Sequence, residues 1–130
     1  MATSRILVHD DAHHVPARAV ASAGLFGIAL IHLLDLPGKI HETPYLGAAY
    51  IALILAAVGV GLALVLRDER RLWQASLLVA AITLVGFVIN RTVGMPNAMD
   101  DVGNWLEPLG LASLFVEALV VLVSGLVLAT

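Results

Sequence analysis

Four stretches of this 130-residue chain, at 17–36, 45–66, 72–90 and 105–129, are apolar almost throughout. Each is close to the roughly 20 residues that a helix needs to cross a bilayer. Backbone groups in hydrocarbon must be paired within the segment, and a helix does this with its own ladder. The fold class expected is therefore all-α, a transmembrane antiparallel four-helix bundle over residues 17–130. Residues 1–16 are polar and are expected to form a mobile cytoplasmic tail.

Composition agrees with a lipid environment. Hydrophobic residues make up 60% and charged residues 13%, where a soluble domain carries about a quarter charged. A net charge of −3 with no basic stripe argues against nucleic acid as a partner. The chain contains no cysteine, which rules out disulfides and thiolate chemistry. Asp35, Leu36, Pro37 and Gly38 do not make a small-residue cleavage site, so the first apolar stretch reads as a retained helix.

Basic residues set an expected orientation. Arg5 and Arg18 precede or begin helix 1, and Arg67, Arg70 and Arg71 cluster between helices 2 and 3. Only Lys39 and Arg91 fall on the opposite side. The positive-inside rule then gives a multi-pass plasma-membrane protein with both termini in the cytoplasm. Tyr45 and Trp105 would sit in the outer aromatic belt and Trp73 in the inner one. Pro37 and Pro44 are expected to bracket the loop between helices 1 and 2, and residues 91–104 to form a longer outer loop suited to a lid.

Small residues recur every four positions at Ala19, Ala23 and Gly27, and again at Ala48, Ala52 and Ala56. Such spacing allows close helix approach, within the bundle or in a homo-oligomer or larger membrane complex. Polar residues follow packing periodicity too. Helix 4 carries Glu107, Gly110, Leu114, Glu117, Val121 and Ser124 at 3-4-3-4-3 spacing. Ser76, Thr83 and Asn90 stand seven apart on helix 3, as do Leu25 and His32 on helix 1.

These seams nominate the site residues. Glu117 lies near the middle of an apolar span, where a carboxylate costs on the order of 2.5–3.5 kcal/mol to insert. It reads as a buried relay group, with Thr83, Ser113 and Ser124 lining a wet path. Nearer the outer face, His32, His41, Glu42 and Glu107 form a set that could hold a zinc, copper or iron ion. Arg91 is expected to pair with Asp35 or Glu107, and Glu107 ahead of Pro108 to neutralise the start of helix 4. The doublet Asp100-Asp101 reads as a solvated loop edge. The N-terminal group His9, Asp10, Asp11, His13 and His14 reads as fortuitous for metal. Haem is disfavoured because His32 is the one histidine within a span. No histidine is placed to activate Ser113, so enzymatic hydrolysis is not expected.

The strings His32-Leu-Leu-Asp-Leu-Pro-Gly-Lys-Ile-His41-Glu42, Asn90-Arg91-Thr-Val-Gly-Met-Pro and Gly103-Asn-Trp-Leu-Glu107-Pro-Leu-Gly resemble a group of small four-helix membrane proteins of actinobacteria. No activity is established for that group. The resemblance covers helix 1 to helix 4 and implies the topology, but no catalytic role. Three readings of function remain open: handling of a divalent metal, movement of protons or small solutes by way of Glu117, and service as an accessory subunit.

Overall fold

The computed structural model describes residues 14–130. The expected tail up to residue 13, with His9, Asp10, Asp11 and His13, lies outside the described residues. Four helices follow in order: α1 (Ala2–Glu42, described from His14 on), α2 (Pro44–Leu66), α3 (Arg70–Thr92) and α4 (Pro108–Ala129). All four are long and apolar enough to cross a membrane, which marks the protein as a small multi-pass membrane protein. They form an antiparallel four-helix bundle in which α1 packs on α2 and α4, and α3 packs chiefly on α4.

The α1–α2 connection departs from expectation. Pro37 does not end α1, which continues to Glu42 and leaves Thr43 alone between the two helices. A proline inside a helix costs about 3 kcal/mol through its missing N–H and its ring clash. The last stretch of α1 docks on α2: a Cβ on Gly47 would meet Ile40 at 2.8 Å, so the two helices touch there. Thr43 is buried, and its carbonyl accepts from the Leu46 and Gly47 amides, which starts α2.

The small-residue stripes also point elsewhere than expected. Ala19, Ala23, Ala48, Ala52 and Ala56 are exposed on the outer surface of the bundle. Gly27 of the first stripe does turn inward, where an added Cβ would meet Val116 at 3.2 Å, and the closest approaches rest on other small residues. A Cβ at Gly24 would coincide with the Val120 side chain, and one at Gly61 would meet the Phe26 ring at 2.7 Å. Thus α1 crosses α4 at Gly24 and α2 at Gly61.

The lower half of the bundle, the end carrying residues 67–69 and the C-terminus, is closed. Leu25, Leu64, Trp73 and Val120 are at most 1% exposed there, and Ser76 and Ser124 share a hydrogen bond of 2.9 Å between α3 and α4. Ser124 therefore belongs to a dry seam and lines no wet path. Trp73 is likewise in the core and not in an aromatic belt, because Asp68 Oδ1 accepts its indole N–H at 2.8 Å inside the fold.

Asp68 is the hub of this end. Its second oxygen meets His14 Nδ1 at 2.6 Å, tying α1 to the α2–α3 turn. Burial works against ionisation of Asp68, but the Trp73 and His14 hydrogen bonds and the Arg18 charge outweigh it and hold the carboxyl below its ordinary value. Arg18 donates to the Leu64 and Val65 carbonyls, and Arg70 donates to that of Leu128. Arg18 of α1 and Arg70 of the basic cluster thus cap the C-termini of α2 and α4, where cations are favoured.

Candidate functional site

The upper half holds a cavity of about 600 Å³, lined by all four helices and by the 93–107 loop. Its floor is Glu117, flanked by Ser113 and Thr83, and no residue of the closed lower half borders it. Glu117 is the tenth residue of α4, roughly 14 Å below the start of that helix at ~1.5 Å per residue.

Glu117 is 0% exposed. Ser113, one turn earlier, donates its hydroxyl to Oε1 at 2.6 Å. Oε2 is buried with no partner. Glu117 faces inward, as its place on the helix 4 seam predicts, and the Ser113 hydroxyl is its one partner among the described residues. The seam itself is rotated slightly from expectation: Gly110, Ser113, Glu117, Val120 and Ser124 are the buried positions of α4, while Leu114 and Val121 are only half-buried. Thr83 is buried at the same wall and returns its hydroxyl to the Val79 carbonyl at 2.6 Å.

His32 is 8% exposed and lines the cavity. Since α1 runs to Glu42, His32 lies ten residues inside that helix and is deeper than an outer-face group. Its Nδ1 lies 2.8 Å from the Ile28 carbonyl. A carbonyl can only accept, so Nδ1 carries the proton and Nε2 is an acceptor in the neutral ring. The ring stands edge-on to Tyr50, with centroids 4.8 Å apart. Tyr50 in turn donates its hydroxyl to Asp35 Oδ2 at 3.2 Å.

The expected Arg91–Asp35 pair does not form. Arg91 is 7% exposed and meets Asp101 at 3.2 Å and Glu107 at 3.5 Å, with its guanidinium over the Phe87 ring. The end of α3 faces α4 and the loop, whereas Asp35 faces Tyr50 of α2. Asp101 is thus no solvated edge. It accepts from Lys39 and forms an ion pair with Arg91. Burial pushes its carboxyl up, but the Arg91 and Lys39 charges prevail and hold it below the ordinary 3.8.

Glu107 is spoken for twice. It is the N-cap of α4, accepting from the Leu109 amide at 3.1 Å and the Gly110 amide at 2.6 Å, and it also pairs with Arg91. Glu107→Ala removes the cap and one Arg91 partner, and should cost about 1–2 kcal/mol. Thermal unfolding in detergent would register it. Glu107→Gln, which keeps an acceptor oxygen, should lose less.

The expected metal set is dispersed. His41 is exposed and does not border the cavity, Glu42 stands at its rim, His32 lies deeper, and Glu107 is committed to its cap. Among the described residues, no group of three or more His, Asp or Glu could hold a metal ion. The arrangement does not converge because these residues sit on different levels of α1, its end and α4.

The 93–107 loop lies over the cavity mouth. Lys39 reaches Asp101, Thr43 donates to the Asn97 carbonyl at 3.3 Å, and Tyr45 donates to that of Pro96. Gly94 and Gly103 take φ of +84° and +80°, which lets the chain leave α3 and turn back. Six carboxylates line the cavity against two cations, Lys39 and Arg91. Asp101 and Glu107 are the carboxylates in ion pairs with them, which leaves Asp35, Glu42, Asp100 and Glu117 without a cationic partner among the described residues. Tyr50, Lys39 and Asp101 line the cavity but were not nominated as site residues from the sequence. A phenol inside the apolar run of α2 was a usable signal for the first, since buried Tyr hydroxyls seek partners; nothing local marked the other two. Comparison of the chain with protein-family models, curated proteins and solved structures finds no match.

Proposed function

We propose that the protein moves protons or small cations across the membrane, with Glu117 as the relay group at the floor of the cavity. The observation that supports this most is Glu117 itself: a fully buried carboxylate, at the end of an aqueous-sized cavity, with one oxygen unpartnered. Intramembrane carboxylates that face an internal cavity mark ion and proton paths. The excess of carboxylates over cationic side chains in the lining favours cations over anions. The closed lower half favours a carrier over an open pore, since passage requires that end to rearrange. Basic residues at that end, Arg67 and Arg71 among them, favour a cavity opening away from the cytoplasm.

The test is flux into proteoliposomes carrying an internal pH-sensitive dye. The intact protein should dissipate an imposed gradient. Glu117→Gln, which preserves shape and removes the ionisable group, should reduce the rate to that of empty vesicles. Unchanged flux in the variant would remove Glu117 from the mechanism. Divalent-metal handling has less support, because its donors do not converge.

A further inference from the structure

Two buried acceptors of the cavity lining have no donor among the described residues, and the one unpartnered donor there, Arg91 Nε, belongs to a side chain held at the mouth. The two acceptors are Glu117 Oε2 and Asn90 Oδ1. His32 adds Nε2, its proton being on Nδ1. The protein's own cations do not reach the floor, because Arg91 and Lys39 are held at the mouth by Asp101 and Glu107. An unpaired buried carboxylate is costly, and the group that relieves it brings N–H donors and positive charge. A primary ammonium has three donors and no acceptor.

The walls add a second requirement. Apolar side chains line the α2 and α3 walls, Leu46 and Leu53 from α2 and Ile82 and Phe87 from α3, while His32, Asp35 and Tyr50 line the rest. Ile82 borders the cavity and is also 62% exposed on the outer surface, so this wall reaches the side of the bundle that lipid would cover. The α2–α3 seam is the loosest among helices adjacent in the chain. A volume of about 600 Å³ falls in the range of small-molecule pockets, roughly 300–1,000 Å³. A bare proton would satisfy Glu117 and leave this apolar space without a role.

We propose that the cavity binds an alkylammonium ion, a primary amine with an apolar tail, whose –NH₃⁺ group pairs with Glu117 and whose tail lies between α2 and α3. This deepens the transport reading and rests on it for the role of Glu117. Binding alone, however, does not require transport.

Equilibrium dialysis of the detergent-solubilised protein with n-hexylammonium tests it. The intact protein should bind n-hexylammonium and should bind n-hexanol, its neutral counterpart, at least tenfold more weakly. Glu117→Gln should weaken hexylammonium binding at least tenfold. Leu53→Trp, which fills the tail space and leaves Glu117 untouched, should weaken hexylammonium but not methylammonium, and it serves if the Glu117 variant fails to fold. Equal binding of amine and alcohol, or no binding of the amine to the intact protein, would overturn the proposal. Loss of hexylammonium binding with Glu117-dependent proton flux intact would overturn the ligand assignment alone. Binding without any flux would retain the site and overturn the transport reading.

Discussion

Arg91→Ala is expected to loosen the upper end of the bundle and lower stability by about 3 kcal/mol, the low end of the range for removing one partner of a buried ion pair. The guanidinium is 7% exposed, and it holds Asp101 at 3.2 Å and Glu107 at 3.5 Å. Its loss strands two carboxylates beside each other. The low end of the range applies because those side chains are 27% and 36% exposed and water can reach them. Arg91→Lys should recover only part of the loss, since an ammonium cannot make the forked contact or stack on Phe87 as the planar guanidinium does. Amide exchange within the 93–107 loop reports the effect directly, because the Gly103 amide bonds the Arg91 carbonyl. Uniformly slow exchange in the alanine variant would show that the ion pair does not hold the loop. The pH dependence has a definite sign. The Asp101 carboxyl titrates below 3.8, so its contribution is present above the ordinary carboxylate value and is lost as pH falls through the lower, folded-state value.

Gly24→Leu should be comparably severe. A Cβ at this position would fall on the Val120 side chain, and Val120 is 0% exposed with no room to yield. Overpacking a filled core costs about 1–3 kcal/mol, and a leucine placed at a helix crossing belongs at the top of that range. The α1–α4 contact would be forced apart just below the floor of the cavity, so flux and ligand binding should fall together with stability. Adding Val120→Ala should restore part of the loss, and the coupling between the two changes is measurable by a double-mutant cycle. Gly125→Ala is the control, as a Cβ there meets nothing within 4 Å. If Gly24→Leu and Gly125→Ala unfold at the same denaturant concentration, the close approach of α1 and α4 is not what holds that seam.

Two expectations drawn from periodicity succeeded for a clear reason. Glu117 and Gly110 stand seven residues apart on α4, as do Ser76 and Thr83 on α3, and the structure buries all four. Heptad spacing keeps side chains on one helix face whatever that face meets. The Ser113 contact to Glu117 was legible for the same reason, since residues four apart on a helix are neighbours. Periodicity says nothing about which of two small-residue stripes turns inward. Ala48, Ala52 and Ala56 satisfy the spacing rule and are exposed, while Gly47 and Gly61 make the approach to α1.

The sequence by itself determined the parts of this protein governed by short-range chemistry: four apolar helices, their antiparallel order, a carboxylate at the positive end of α4 and the inward face that carries Glu117. Each depends on composition or on spacings of a few residues along one helix. Only the tertiary structure decided that α1 runs through Pro37 to Glu42, which sets His32 deep and scatters the four expected metal ligands. It alone joined Arg91 to Asp101 and Asp35 to Tyr50, and drew the 93–107 loop across the mouth. Those pairings depend on how each helix is rotated and where each end docks. Packing between segments far apart in the chain fixes both, and no local spacing encodes them.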